Sequence, residues 1–247
     1  MSAGAAAGCE SGALDPPRAL GAPPVSARLR ASPEDFRVDE ELGFAPDGDG
    51  QHLLVQVRKR GCNTAWVAGE LARAAGLRPR EVGYSGLKDR DALTSQWFSL
   101  DLAGRSPPAW AADPVPGAAV PGVPIPGVEV LAVHRHRRKL RRGSHRANRF
   151  VVVLRDVAGD RQALAARLGE VAARGVPNYF GPQRFGRGGA NVAAARDLLL
   201  AGRPVARGRR GILLSAARSL LFNRVLAARV PDGSWAAGLP GDMLMLD

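Results

Sequence analysis

Hydrophobic positions along this chain repeat with two periods, and the change of period divides it. Phe36 and Val38 alternate with Asp35, Arg37 and Asp39, the pattern of a half-buried strand. Asp47-Gly48-Asp49-Gly50 reads as a turn, and residues 52–59 as the next strand. Residues 65–73 then space their apolar side chains for a helix, behind a polar Asn63-Thr64 start and before Gly76. Residues 81–84 lead into a Gly-bearing turn. Residues 128–133 predict a strand, and 148–155, apolar over most of their length, predict a buried one. From there the period is helical: 162–173, with Leu164, Leu168 and Val171 on one side, then 191–200 and 212–228. Residues 203–210 read as a basic loop, and the Pro-, Gly- and Ala-rich residues 103–127 as a long exposed loop. Residues 241–247 read like the entry to a strand. Residues 1–24 show little periodicity and read as a flexible extension.

Composition adds a polyanionic partner to this picture. The net charge is +12 over 247 residues, and of 35 basic residues all but Lys59, Lys88 and Lys139 are Arg. A GC-rich gene accounts for Arg in place of Lys; it does not account for the positive excess. Arg forks onto phosphates and stacks on bases, so the bias suits RNA better than a membrane surface. Two cysteines, Cys9 and Cys62, are too few for a disulfide scaffold or a zinc site and read as free thiols in a reducing cytoplasm. No run approaches the length of a membrane span, and the N-terminus lacks a secretory pattern.

The candidate chemistry lies in residues 83–97, Gly-Tyr-Ser-Gly-Leu-Lys-Asp-Arg-Asp-Ala-Leu-Thr-Ser-Gln-Trp. Small residues let the backbone turn tightly and approach a ligand. Lys88 and Asp89 sit at the tip of that turn, where Asp89 alternatively caps a turn and Lys88 is solvated. Lys88, Arg90 and Arg30 are the cations that can hold Asp89 ionised. Asp91 is the rival carboxylate. The basic run 134–143 includes Arg137, Arg138 and Lys139, and its place between two strands displays it on a folded body. Arg184, Arg207, Arg209 and Arg210 are further candidate phosphate contacts. Neither a P-loop, nor His-Glu-x-x-His, nor a Cys pair at metal spacing is found, so no metal site or cofactor is expected.

Lys-Asp-x-x-Ala-x-Thr-x-Gln after a Gly-containing turn resembles the active-site segment of the TruD family of tRNA pseudouridine synthases. Asp-Phe-x-Val-x-Glu from Asp35, Asn148-x-Phe150, and Asn178-Tyr179-Phe180-Gly181-x-Gln183-Arg184-Phe185-Gly186 resemble further family blocks. The resemblance spans residues 26–247. It implies an α+β fold: a pseudouridine-synthase-like, mixed and largely antiparallel sheet with helices, plus a partial inserted α/β second domain. The domains it implies are an extension over 1–24, a catalytic domain over 25–174 and the start of the inserted domain over 175–247. It also implies that a return segment completing the catalytic domain is absent, so that the chain is cut short relative to the family.

By the same resemblance Asp89 is catalytic. Arg30, Phe36, Lys88, Asn148 and Phe150 contact the target nucleotide, with Phe36 either core or pocket wall. The substrate is uridine 13 of tRNA, isomerised without a cofactor by a cytoplasmic monomer. An inactive RNA-binding remnant of such an enzyme, and a basic protein that coats nucleic acid, are the readings from other classes.

Overall fold

The computed structural model describes residues 15–111 and 125–242. Two compact units divide them, one over residues 26–158 and the other built from the N-terminal residues to 25 with residues 159–247. The expected extension lies outside the described residues up to residue 14, as do most of the loop expected within 103–127 and the strand entry after residue 242.

The first unit is a six-stranded sheet. Its strands are β2 (Phe36–Glu41), β3 (His52–Arg60), β4 (Val82–Tyr84), β5 (Leu93–Asp101), β6 (Val128–His136) and β7 (Ala147–Val152). The order is β6-β3-β5-β2-β7, with β4 on β5 beyond the end of β2. All pairings are antiparallel except β2 with β5. A fold of mixed, largely antiparallel sheet with helices is therefore what forms. β1 (Val25–Leu29) and β8 (Leu154–Gly159) make a separate two-stranded ribbon.

Helix α1 (Thr64–Ala74) covers one face of this sheet. Val67, Leu71 and Ala72 pack on Val55, Val57, Phe98, Leu100, Val130 and Val133 in a single core. The alternation of β3 explains the register: Leu53, Val55 and Val57 face that core, while Leu54 faces a smaller cluster with Leu42, Leu140 and Trp97. Gly83 of β4 permits close approach of the chain above it. A Cβ there would stand 2.5 Å from the Leu140 carbonyl oxygen and 2.6 Å from Ser99 Oγ.

The second unit contains α2 (Arg161–Arg174), α3 (Ala190–Leu200) and α4 (Arg207–Arg229). Asp160 caps α2, accepting from the amides of Gln162 and Ala163. Phe185, Val192 and Leu220 form its core cluster, with Ala195, Leu213 and Ala216 also buried. Leu164 and Val171 of α2 are half-buried, whereas Leu168, expected on the same face, is exposed.

Four expectations need correction. Residues 148–155 are not one buried strand; they break at Val153 between β7 and β8, and Phe150 through Leu154 are all exposed. The reason is position: β7 is the edge strand of the sheet. Residues 207–210 are helical rather than loop, since α4 begins at Arg207. The strand expected to stop at residue 133 runs to His136, into the basic run. Finally, α4 has 23 residues and contains an 18-residue stretch of mean hydropathy 1.3, long and apolar enough, by length and composition, to cross a membrane. Its earlier start supplies the length. Within its unit α4 carries Arg218 and Arg224 and buries Leu213, Ala216, Leu220 and Asn223.

The packing predicts a contrast between two leucines. Leu71→Ala is expected to lower the unfolding free energy by about 2–5 kcal/mol, the range for emptying a fully buried site. Leu168→Ala, on exposed helix surface, is expected to stay within about 0.5 kcal/mol. Urea denaturation followed by tryptophan fluorescence measures both.

Candidate active site

Residues 85–91 connect β4 to β5 without regular secondary structure, so their backbone groups depend on side chains beneath them. Thr64, the first residue of α1, supplies one. Its hydroxyl accepts from the Lys88 amide at 3.0 Å and donates to Gln96 Oε1 at 2.8 Å, and Gln96 Nε2 donates to the Gly86 carbonyl at 3.4 Å. The Asn-Thr pair, read as a helix cap, thus works differently: Asn63 holds the cap position without a side-chain bond, and Thr64 ties down the loop.

Lys59 supplies the second support. It has the parity of Val55 and Val57 on β3 and is almost fully buried. Its Nζ donates to the carbonyls of Cys62 at 2.7 Å, Asp89 at 2.9 Å and Lys88 at 3.5 Å. Burial holds its pKa well below the usual lysine value, down to about 8, against the opposing pull of Cys62 and Asp89. Sequence reasoning missed this role. The available signal was a lone lysine on the apolar parity of a strand in a chain that otherwise uses Arg.

Lys88 turns inward. Its Nζ donates to Glu40 Oε2 at 2.5 Å, both side chains are buried, and Glu40 Oε1 accepts from the Trp97 amide at 3.1 Å. Gly86 leaves room for this pair, since a Cβ there would lie 3.3 Å from Lys88 Nζ. Lys88 is therefore not the cation at Asp89. Nor is Arg90, whose nearest carboxylate is Asp91 at 3.6 Å on the exposed side.

Arg30 is that cation. Its Nη1 donates to Asp89 Oδ2 at 2.9 Å, while Asp89 Oδ1 accepts from the Asp91 amide at 3.2 Å. Asp89 thus caps a turn and forms an ion pair at once. Arg30 adopts φ +56°, a left-handed conformation unusual for a side-chain-bearing residue. Its guanidinium lies 3.9 Å from the centroid of the Phe36 ring.

Sheet register brings the remaining candidates together. Phe36, Val38 and Glu40 alternate on β2, and β7 sets Phe150 opposite Val38 and Asn148 opposite Glu40. Directly opposed residues share a face, so all five stand on one side. Phe36 and Phe150 meet with ring centroids 6.0 Å apart. Phe150 is 58% exposed and Asp89 is partly open, so the group forms a surface rather than a core. Asn148 Nδ2 lies 3.1 Å from His145 Nε2, and Asn148 Oδ1 is buried with no partner among the described residues.

The basic run is more engaged than its composition suggests. Arg137 forks onto Asp49 with both contacts at 2.8 Å, which neutralises it locally. Lys139 donates to the Arg80 carbonyl, whereas Arg138 is exposed with no carboxylate partner among the described residues. Arg184 belongs to the second unit, where it donates to Ser215 Oγ at 3.2 Å. Among the described residues no group of His, Cys, Asp and Glu is arranged to hold a metal ion.

Comparison with known proteins shows the family of the chain. Residues 18–206 match the family model of tRNA pseudouridine synthase D (TruD). The chain is 50% identical over 230 residues to the tRNA pseudouridine synthase D of Nitrosococcus oceani, covering 92% of this chain and 62% of that one. With the protein of the same name from Pseudomonas syringae pv. tomato the identity is 51% over 231 residues, covering 92% and 62%. The chain therefore spans somewhat under two thirds of the length of these curated relatives. A crystal structure of the TruD protein of Methanosarcina mazei superposes with a TM-score of 0.70 at 18% identity, over 92% of this chain and 65% of that one. That likeness confirms the fold.

The lowered pKa of Lys59 predicts a pH effect of definite sign. Above about pH 8 the folded chain releases a proton that the unfolded chain keeps to the ordinary 10.5. Unfolded protein then binds more protons, so this group's contribution to stability rises with pH between those values. The urea midpoint of wild type relative to Lys59→Met is expected to climb from pH 7.5 to 9.5; a flat difference contradicts the assignment.

Proposed function

The chain belongs to the TruD family of tRNA pseudouridine synthases, and from that premise we propose that it acts in converting a uridine of tRNA, by family resemblance uridine 13, to pseudouridine. The observation that carries this reading is the Arg30–Asp89 pair seated on Phe36, beside a sheet face that presents Phe150 and Asn148.

The reaction breaks the C1′–N1 bond, turns the uracil and joins C1′ to C5; the C5 proton leaves and N1 gains one. Atoms and electrons balance within the nucleoside, so the proposal invokes no cofactor. Asp89 is the proposed catalytic residue. Its carboxylate serves either as nucleophile at C1′ or as base at C2′. Arg30 orients the carboxylate and keeps a positive charge against it. Both routes need the base out of its stack, at a cost of a few kcal/mol. The exposed Phe150 ring offsets this by stacking, worth about 1–3 kcal/mol per base. The unpartnered Asn148 Oδ1 is placed to accept an N–H from the uracil edge. Lys88 acts indirectly, fixing the loop through Glu40. Arg138 is the readiest of the basic run for a phosphate; Arg137 and Lys139 join it by exchanging their present partners. We place the protein in the cytoplasm and as a monomer.

A second reading, RNA binding without turnover, draws on the exposed apolar run from Phe150 to Leu154, which leaves the stacking face uncovered. One assay separates the two. Unmodified tRNA transcript is incubated with the chain, and pseudouridine is read by carbodiimide reactivity. Turnover is expected, with a loss of at least about 10²-fold in Asp89→Asn. Salt-sensitive binding without turnover supports the second reading, and turnover unchanged in Asp89→Asn overturns the role given to that residue.

A further inference from the structure

The two phenylalanines of residues 178–186 are treated oppositely. Phe185 is buried with Val192 and Leu220. Phe180 is 37% exposed, yet its backbone is fixed by a fully buried amide. Asn223 of α4 donates through Nδ2 to the Phe180 carbonyl at 2.9 Å and accepts the Phe180 amide on Oδ1 at 2.9 Å. A buried side chain thus pairs both backbone groups of one residue, and the result is an outward ring held in a fixed direction.

That ring borders a cavity of about 640 Å³, also lined by Gln183, Arg184, Asn191, Ile212 and Ser215. The Arg184 guanidinium lies 5.1 Å from the Phe180 ring centroid and is tethered by Ser215. Phe222 backs Phe180 edge-on, with centroids 5.4 Å apart at 76°. Gly186, at φ +76°, keeps the turn tight; a Cβ there would stand 2.9 Å from the Asn191 side chain. A fixed aromatic face, a cation beside it and two amides lining the hollow form the chemistry of a site for a planar, hydrogen-bonding, anionic ligand.

Charge at the same groove points to a polyanion. α4, whose Ile212 and Ser215 line the cavity, begins with Arg207, Arg209 and Arg210. All three are exposed, and none pairs with a carboxylate among the described residues. The first turn has no acidic residue and no side-chain cap. Three cations at the positive end of a helix dipole work against the helix, a cost that a bound anion reverses.

We propose that this groove is an RNA-contact site of the second unit, built from residues other than the Asp89 group, in which one unpaired base stacks on Phe180 beside Arg184 while flanking phosphates meet the arginine-rich start of α4. It rests on the reading above that RNA is the substrate.

The test is binding by the whole chain, with unmodified tRNA transcript and with oligouridylate as probes over a salt series. Phe180→Ala is expected to weaken both about 5- to 150-fold, one lost stack, with the salt slope unchanged. Arg209→Gln, at the start of α4, is expected to weaken binding and to lower the log–log slope by about 0.7–0.9. Phe180→Trp is expected to keep wild-type affinity, and its added fluorescence to be quenched by oligouridylate but not by an abasic oligomer of equal length. Binding is read directly and needs no turnover, so a failed turnover assay does not touch this result. Wild-type affinity in Phe180→Ala overturns the proposal. So does equal quenching by the abasic oligomer, which also decides the matter if circular dichroism shows Phe180→Ala unfolded.

Discussion

A carboxylate on an irregular loop is only as well placed as the loop, and the loop that carries Asp89 is held from below by buried polar groups. Lys59 gathers three carbonyls, two of them from Lys88 and Asp89. Thr64 and Gln96 take the Lys88 amide and the Gly86 carbonyl. Glu40 takes the Lys88 ammonium and the Trp97 amide. Each interaction costs desolvation that a hydrocarbon would not. Together they give residues 85–91 the fixed shape that secondary structure gives elsewhere. Asp89 can then stand partly in solvent with its two oxygens already directed by Arg30 and by its own turn.

The two cations nearest the aspartate, Lys88 in sequence and Arg30 in space, divide the work in a way that charge counting does not anticipate. The neighbour in sequence, Lys88, is spent on structure, and the neighbour in space, Arg30, faces the carboxylate. Arg30 reaches it from the end of β1 in a left-handed backbone conformation and lies against Phe36. Strain, stacking and ion pairing meet in one residue, consistent with a position kept for its geometry rather than for stability.

Exposed aromatic residues recur in both units. Phe150 lies on the sheet edge beside the Asp89 group, and Phe180 lies at a groove of the helical unit. In each unit other aromatic side chains, Phe98 and Phe185, are buried in the usual way. Exposure is thus selective, and in both places a guanidinium lies against a ring: Arg30 on Phe36, which touches Phe150, and Arg184 on Phe180.

The sequence by itself determined the strands over β2 and β3, the helix α1 and the helices of the second unit, because period-2 and period-3.6 patterns are local and survive without tertiary context. Its motif at 83–97, with the block around Phe36 and Asn148-x-Phe150, also identified the residues that the sheet assembles. What it could not supply was anything set by register or by edges. The apolar run at 148–155 looked like interior because composition does not say which strand lies outermost; topology made it an exposed edge. The partners of Lys88, Arg30 and Lys59 lie 48, 59 and 30 residues away, and only the pairing of β2, β3 and β5 fixed them. Long-range contacts of that kind follow from folding the sheet, not from any local pattern.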